Sequence, residues 1–145
     1  MSVPVNQRTE SKLEVFVRAH DLAVYTIKIT SNAKSFPEEY RHALTDEITR
    51  TAIQIFTKVW AANNVMVRTE DDYRMRRGLQ EEAAVLCNVL LPLIEIAWKV
   101  FHLESKRVRY WTGKVLDVRK MIRAWREADA GRYGRRAGDA LDHGI

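Results

Sequence analysis

Apolar residues recur along this chain at spacings of three and four, which is the pattern of amphipathic helices. Short polar or proline-containing stretches divide the pattern into four segments, which predict helices over residues 11–35, 38–64, 69–102 and 106–128. Short connections favour antiparallel neighbours, so the pattern predicts an all-α fold, an up-down-up-down four-helix bundle. The chain has only three prolines and six glycines in 145 residues, which agrees with long helices.

The first predicted helix carries two apolar stripes on opposite sides. We predict that the fuller stripe faces the core, and it consists of Leu13, Phe16, Val17, His20, Val24 and Ile27. The other stripe consists of Val15, Leu22 and Ile29. A single bundle has no evident use for a second stripe, so we assign it to a contact between subunits. His20 within an apolar face is typical of a packing residue rather than a catalytic base.

The second predicted helix begins after a proline. Pro37 suits a first helical turn and disfavours helix at Phe36, and the next two residues are carboxylates, which the helix dipole stabilises there. Its predicted core face is Tyr40, Leu44, Ile48, Ala52, Ile55, Val59 and Ala62. A separate apolar patch of Ile53, Phe56 and Trp60 lies away from that face. We predict that this patch also contacts another subunit, so that several bundles assemble into a homo-oligomer.

The third and fourth predicted helices differ in how much of their surface is apolar. The middle of the third is apolar on most sides, except along a strip of Asn88, Glu95 and Lys99, which predicts burial on most sides. Pro92 removes a helical amide and is expected to kink it. The fourth helix has one apolar face, and we predict that it packs inward through Val108, Trp111, Val115, Val118, Ile122 and Trp125.

The chain ends suggest one domain with flexible flanks. We expect a flexible N-terminus over residues 1–10, a bundle over 11–128 and a flexible tail over 129–145, which holds four of the six glycines. No apolar run has signal-peptide length, and the longest apolar stretch is interrupted by polar residues and Pro92, so we expect a soluble, cytoplasmic protein. The single cysteine, Cys87, lies in an apolar setting that favours a buried, inert thiol.

Positive charge is concentrated near the C-terminus. Residues 1–96 hold 12 basic and 13 acidic side chains, whereas residues 97–145 hold 12 basic and 6 acidic ones. This asymmetry indicates an anionic partner, with RNA or DNA as the first candidate. The candidate phosphate-binding residues are Arg109, Arg119, Lys120, Arg123 and Arg126 in the fourth helix, Arg132, Arg135 and Arg136 in the tail, and Arg74 and Arg77 in the third helix. Two alternatives stay open: an ordinary solvated face, and pairing of residues 74–78 with the acidic residues before them.

Catalytic and metal-binding motifs are few. Glu39 and His42 have the Glu-x-x-His spacing of di-iron bundles, but such sites need two of these pairs and two further glutamates, and this chain has one pair. No phosphate-binding glycine loop or zinc spacing occurs. We therefore expect no metal, no cofactor and no catalytic activity from this chain.

Several segments resemble the accessory variability determinant proteins of diversity-generating retroelements, relatives of the four-helix-bundle proteins encoded in ribosomal RNA intervening sequences. The resemblance covers about residues 12–126. It is most specific at Asp21-Leu22-x-x-Tyr25, at "FPEEYRHALTDEI" and at Ala62-Asn63. It departs in the third helix, where many relatives have an arginine and this chain has "LLPLIEIAW".

The resemblance implies a basic four-helix bundle that assembles as a homopentameric barrel. It also implies that the bundle binds the reverse transcriptase and its template RNA and supports adenine-directed cDNA synthesis in mutagenic retrohoming, without being the polymerase. The alternative is a helical scaffold of the intervening-sequence type, in which the basic residues dock an acidic protein surface and nucleic acid has no direct role.

Overall fold

The computed structural model describes the backbone of residues 3–143 and the side chains of residues 14–134. It contains four α-helices: α1 (Val3–Thr30), α2 (Asp46–Asn63), α3 (Glu70–Phe101) and α4 (Ser105–His143). A short 3-10 helix, Glu38–Tyr40, and a π-helical turn, Arg41–Thr45, precede α2. No strand occurs in the described residues, so the predicted all-α class is confirmed.

Neighbouring helices run antiparallel. In each pair of helices, contacts further along one helix involve residues earlier in the other. The contacts are Phe16–Trp60 and His20–Phe56 for α1 and α2, Gln80–Asp129 and Asn88–Arg119 for α3 and α4, and Asp21–Lys114 and Thr26–Trp111 for α1 and α4. Together with the short connection between α2 and α3, these contacts give the predicted up-down-up-down order of a four-helix bundle.

The orientation predicted for α1 was wrong. Val15 and Leu22, assigned to a subunit contact, are buried in the core, and Ile29 packs against it. Val17 and Ile27, assigned to the core, are exposed. The core-facing side of α1 also carries small and polar residues: Ala19, Ala23, Thr26 and Thr30. These small side chains let α1 approach its neighbours closely, and the bulkier stripe lies outside.

The approach to α2 is less regular than predicted. Pro37 is extended, with φ −58° and ψ 142°, and the chain passes through the 3-10 and π-helical turns before α2 begins at Asp46. The Phe36 ring is buried, 5.3 Å from the ring of Phe101 and 6.1 Å from that of Trp111, which anchors this connection to the core. The predicted core face is confirmed from Leu44 to Ala62. Tyr40 is the exception, because it lies exposed beside Phe101.

The apolar patch predicted on α2 lies partly outside the core. Ile53 and Trp60 are exposed, whereas Phe56 is half-buried and packs against the core. The ring of Phe16, on the outer side of α1, lies 5.2 Å from the rings of both Phe56 and Trp60. We call Phe16, Val17, Ile53, Phe56 and Trp60 the aromatic patch.

Helix α3 matches its predicted bounds. Thr69 caps its N-terminus: the Thr69 hydroxyl accepts from the Asp72 amide, while the Asp72 carboxylate accepts from the Thr69 amide, both at 3.1 Å. These backbone hydrogen bonds, with that of the Arg68 amide first, lower the pKa of Asp72. The helix ends at His102, whose left-handed conformation, φ 55° and ψ 47°, stops it. Pro92 lies within the helix.

The outer side of α3 is exposed, contrary to the prediction of burial on most sides. Val85, Val89, Ile96 and Val100 form a solvent-facing row, which we call the α3 stripe. At 1.5 Å per residue it extends over about 22 Å. The opposite face is buried and includes Ala83, Cys87, Leu90, Ile94 and Ala97. Helix α3 is thus apolar on two faces, of which the bundle covers one.

Within the described residues, α3 is the one helix long and apolar enough to cross a membrane by length and composition, with a mean hydropathy of 1.8 over its most apolar 18 residues. Core helices pass the same test, and α3 buries the polar side chains of Arg76 and Gln80.

Helix α4 packs as predicted but ends much later. All six predicted inward residues are buried. The prediction that the bundle ends at residue 128 was wrong, because Asp129 is buried and α4 continues to His143. Residues 129–143 are therefore helical rather than a tail without regular structure.

Candidate nucleic-acid interface

The side of α4 that points away from the core is strongly basic. Between residues 105 and 134 the chain has nine basic and three acidic residues. Arg109, Lys120 and Arg123 are exposed there, and among the described side chains none of them has a carboxylate within 4.0 Å. We call these three residues the outer face of α4. Three such cations on one side of a helix can contact phosphates of one nucleic acid.

Two of the predicted arginines lie instead at the seam between α4 and α3. Arg119 donates a hydrogen bond to the Asn88 side-chain oxygen at 2.8 Å, and an Arg126 guanidinium nitrogen lies 3.8 Å from a Glu81 carboxylate oxygen. Both guanidinium groups therefore have protein partners. Arg119 and Arg126 lie close to the outer face of α4, but part of the hydrogen-bonding capacity of each guanidinium is used within the protein.

The basic patch considered at residues 74–78 is largely neutralised. Arg74 pairs with Glu70 at 2.6 Å, and Arg77 lies 3.3 Å from both the Glu81 carboxylate and the Tyr73 hydroxyl. The hydrogen bond with Tyr73, followed by that with Glu81, raises the pKa of Arg77. Arg74 thus follows the alternative in which a preceding acidic residue pairs with the patch, whereas the partner of Arg77 is Glu81, which comes after it.

The three arginines predicted in the tail, Arg132, Arg135 and Arg136, belong to the C-terminal part of helix α4. The Arg132 guanidinium lies 5.7 Å from the ring of Tyr133, whose other neighbour is the ring of Tyr73 at 5.8 Å. The side chains of Arg135 and Arg136 lie outside the described residues.

An ion pair that the sequence pattern did not predict anchors this end of α4. The Arg76 guanidinium donates to both Asp129 carboxylate oxygens, at 2.7 and 3.2 Å, and the Gln80 amide donates to the same carboxylate at 2.8 Å. Arg76 also lies 5.1 Å from the ring of Trp125. The signal that could have found this cluster is positional, because Arg76 and Gln80 continue the core face of α3 at a spacing of four.

Cys87 is buried beneath the basic seam, as predicted. Burial raises the pKa of the Cys87 thiol to about 12 from an ordinary 9.0, and the positive charges of Arg119 and Arg123 only partly oppose this. The neutral thiol is a poor nucleophile, so the site offers no cysteine chemistry near neutral pH.

A groove of about 620 Å³ separates α3 from the first turns of α4. Its walls include Leu91, Pro92, Trp98 and Val108, and it adjoins the outer face of α4 through Arg109. Most of this lining is apolar, so the groove borders the basic surface without adding cations beyond Arg109.

No metal centre is formed by the residues that the structure describes, since no three His, Cys, Asp or Glu side chains come together. His42 is exposed, and its Nδ1 atom lies 3.3 Å from an Asp46 carboxylate oxygen. Glu39 is also exposed. The Glu-x-x-His spacing therefore falls at the irregular start of the second helical segment, on the surface.

No protein-family model, no curated protein and no solved structure matches this chain.

Proposed function

We propose that this chain is a non-catalytic accessory subunit of a diversity-generating retroelement, which binds template RNA or cDNA together with the reverse transcriptase. The observation that carries the nucleic-acid part is the outer face of α4, where Arg109, Lys120 and Arg123 are exposed without carboxylate partners in the described structure. Binding through such side chains depends on phosphate charge and is largely independent of base sequence.

The retroelement and polymerase parts of the proposal rest on the sequence resemblance over residues 12–126. The resemblance also supports a homopentamer. Assembly would place several copies of the outer face of α4 on one particle, and each chain has a net charge of +5. Repeated basic faces on one particle would bind a long RNA far more tightly than a single face does.

A direct test measures binding of a labelled structured RNA by fluorescence anisotropy at about 50 mM and about 200 mM salt, because several phosphate contacts lose orders of magnitude in affinity over this range. The test variant carries Arg109→Glu, Lys120→Glu and Arg123→Glu. The matched control carries Arg18→Glu, Arg50→Glu and Lys58→Glu, which change the net charge equally at cations that are already paired with glutamates and are not candidate phosphate-binding residues.

We expect the test variant to lose most RNA affinity and the control variant to lose much less. Equal losses in the two variants would assign binding to net charge rather than to the outer face of α4. If the wild-type protein binds no RNA at about 50 mM salt, the nucleic-acid part of the proposal is wrong.

A protein-interaction scaffold is the second candidate function. The observation that favours it is the pair of exposed apolar surfaces, the aromatic patch and the α3 stripe, which a monomer leaves uncovered. Under this alternative the outer face of α4 docks an acidic protein. Capture of the purified reverse transcriptase that is lost in the α4 test variant, together with no RNA binding by the wild type at about 50 mM salt, would support the scaffold.

A further inference from the structure

A second cavity, of about 320 Å³, lies where α1 meets the first turns of α4. It is lined by Tyr25, Glu104, Lys106, Arg107 and Tyr110. It is distinct from the outer face of α4, because Tyr110 and Arg107 lie on the flank of α4 that packs toward α1. Small-ligand pockets span roughly 300–1,000 Å³, so this cavity has room for one flat ring system rather than for a helix.

Two tyrosine rings form one wall of the cavity. The rings of Tyr25 and Tyr110 meet edge to face, with centroids 5.4 Å apart and planes at 66°. Tyr25 is half-buried, and burial raises its pKa, although the charge of Arg107 partly opposes this. Tyr110 remains 58% exposed despite its contacts. An aromatic ring that is held in position yet largely exposed is a surface on which another ring can stack.

Lys114 holds the two rings in place. Its ammonium lies 4.8 Å from the Tyr110 ring centre and 5.2 Å from that of Tyr25, within the range of cation–π attraction. The same ammonium donates to an Asp21 carboxylate oxygen at 2.6 Å, and this hydrogen bond is the main reason that the pKa of Lys114 is raised. Lys114 thus fixes the two rings, and the positive charges of Lys106 and Arg107 beside them disfavour a further lysine or methylated lysine from a partner.

Two further cations at the cavity have no such partner. Lys106 is exposed and Arg107 half-buried, and neither has a carboxylate within 4.0 Å among the described side chains. Glu104 is the one acidic residue of the lining. A carboxylate there disfavours a second phosphate at that end, and it can accept hydrogen bonds from the amino groups of a base.

We propose that this cavity receives one unpaired nucleobase of a single-stranded nucleic acid, stacked on Tyr110, with the adjoining phosphate held by Lys106 and Arg107. The combination of an exposed ring and free cations is the one that single-strand sites use, and a paired base inside a duplex cannot reach such a ring. This assignment rests on the proposed nucleic-acid function and gives it a preference for unpaired strands.

The test compares a labelled single strand of about 12 nucleotides with a duplex of the same sequence, at about 50 mM salt. The test variant is Tyr110→Leu, with Tyr110→Phe as the variant that keeps the ring. Tyr40→Leu is the matched control, since Tyr40 is an exposed tyrosine that does not line the cavity. Thermal unfolding of each variant verifies that the bundle is intact.

We expect Tyr110→Leu to weaken single-strand binding about tenfold or more, since stacking of one base contributes that much. Duplex affinity stays within about twofold, and Tyr110→Phe and Tyr40→Leu bind single strands like the wild type. Neutralising Lys106 or Arg107 lowers the slope of log affinity against log salt concentration by about one for each residue. Tyr110→Leu leaves that slope unchanged.

Other outcomes separate this proposal from the proposed function. Single-strand binding that is unaffected by Tyr110→Leu, or equal losses for single strand and duplex, would overturn the stacking site while leaving the outer face of α4 intact. Loss of reverse transcriptase binding with single-strand affinity unchanged would assign the cavity to a protein and also overturn it. Absence of any nucleic-acid binding by the wild type would overturn both proposals.

Discussion

The Arg76 guanidinium and the Asp129 carboxylate form a bidentate ion pair between α3 and α4, with both side chains less than 5% exposed. Buried charges of this kind are tolerated only when each has a partner, and here Gln80 supplies a third hydrogen bond to the carboxylate. The pair therefore joins the N-terminal part of α3 to the C-terminal half of α4. It holds α4 against α3 beyond Trp125, the last of its predicted inward residues.

Removing the carboxylate is expected to destabilise the bundle strongly. Asp129→Ala leaves the Arg76 charge buried without a counter-charge, which costs about 3–5 kcal/mol of unfolding free energy. Urea unfolding followed by circular dichroism measures the loss. Glu127→Ala, which removes an exposed carboxylate two residues away, is the control and is expected to change stability by less than about 0.5 kcal/mol. Equal stability of the two variants would contradict the assigned role of the ion pair.

Truncation gives a second prediction about the same region. A chain that stops after Ala128 loses Asp129 and is expected to melt well below the full-length protein. A chain that stops after Gly134 keeps Asp129 and the contact between Tyr133 and Tyr73, and it is expected to retain most of the stability. Thermal unfolding of the two truncated chains distinguishes a structural helix from the dispensable tail that the glycine-rich composition suggested.

The faces of α2 and α4 were predictable because each of these helices has a dominant apolar face that continues through the whole bundle. In α1 the prediction failed for a physical reason. Hydropathy favours bulky residues, whereas close packing of helices favours small ones, and α1 buries Ala19, Ala23 and Thr26 while Phe16 and Val17 face outward. Size complementarity with α2 and α4 decided the orientation, and a single sequence does not show the partner surfaces.

The C-terminal part of α4 was missed because glycine weakens helices by roughly 0.5–1 kcal/mol each relative to alanine, and Gly131 and Gly134 both lie there. The helix nevertheless continues through both glycines, next to the buried ion pair of Asp129 with Arg76. The basic character of α4 was visible in the composition. The sequence did not show that Arg119 and Arg126 have partners, because these partners, Asn88 and Glu81, belong to another helix.

A buried hydrogen bond between α1 and α4 gives the next prediction. The Trp111 indole donates to the Thr26 hydroxyl at 3.1 Å, and both side chains are fully buried. Thr26→Val keeps the shape but leaves the indole N–H without an acceptor, which costs about 1–3 kcal/mol. Thr26→Ser keeps the acceptor and is expected to lose less. Urea midpoints of the two variants measure this, and a valine variant as stable as the wild type would show that the bond contributes nothing.

The raised pKa of Cys87 predicts how its reactivity depends on pH. The thiol has an ordinary pKa of 9.0 and a folded one of about 12, so at pH 8 the folded protein holds about a thousandfold less thiolate. Burial of the neutral thiol stabilises the fold fully below pH 9, and this contribution is lost as the pH rises from 9 toward 12. We expect alkylation by iodoacetamide to be very slow in buffer and fast in urea.

The control for Cys87 is a chain with Cys87→Ala and Met66→Cys, which moves the thiol to a highly exposed position in the connection between α2 and α3. This thiol is expected to react at similar rates in buffer and in urea. If Cys87 in the folded wild type reacts as fast as this exposed thiol, then its burial does not protect it.

The two exposed apolar surfaces give the final prediction, which concerns assembly. The aromatic patch lies on α1 and α2 and the α3 stripe on another helix, so a head-to-tail contact between them can repeat around a closed ring. Buried tryptophans at such contacts commonly contribute about 2 kcal/mol or more. We expect Trp60→Lys and Ile96→Lys each to reduce the particle mass measured by light scattering. Met66→Lys, at an exposed residue outside both surfaces, is expected to leave it unchanged. A wild type that is monomeric at every concentration would instead leave both surfaces to another protein and favour the scaffold.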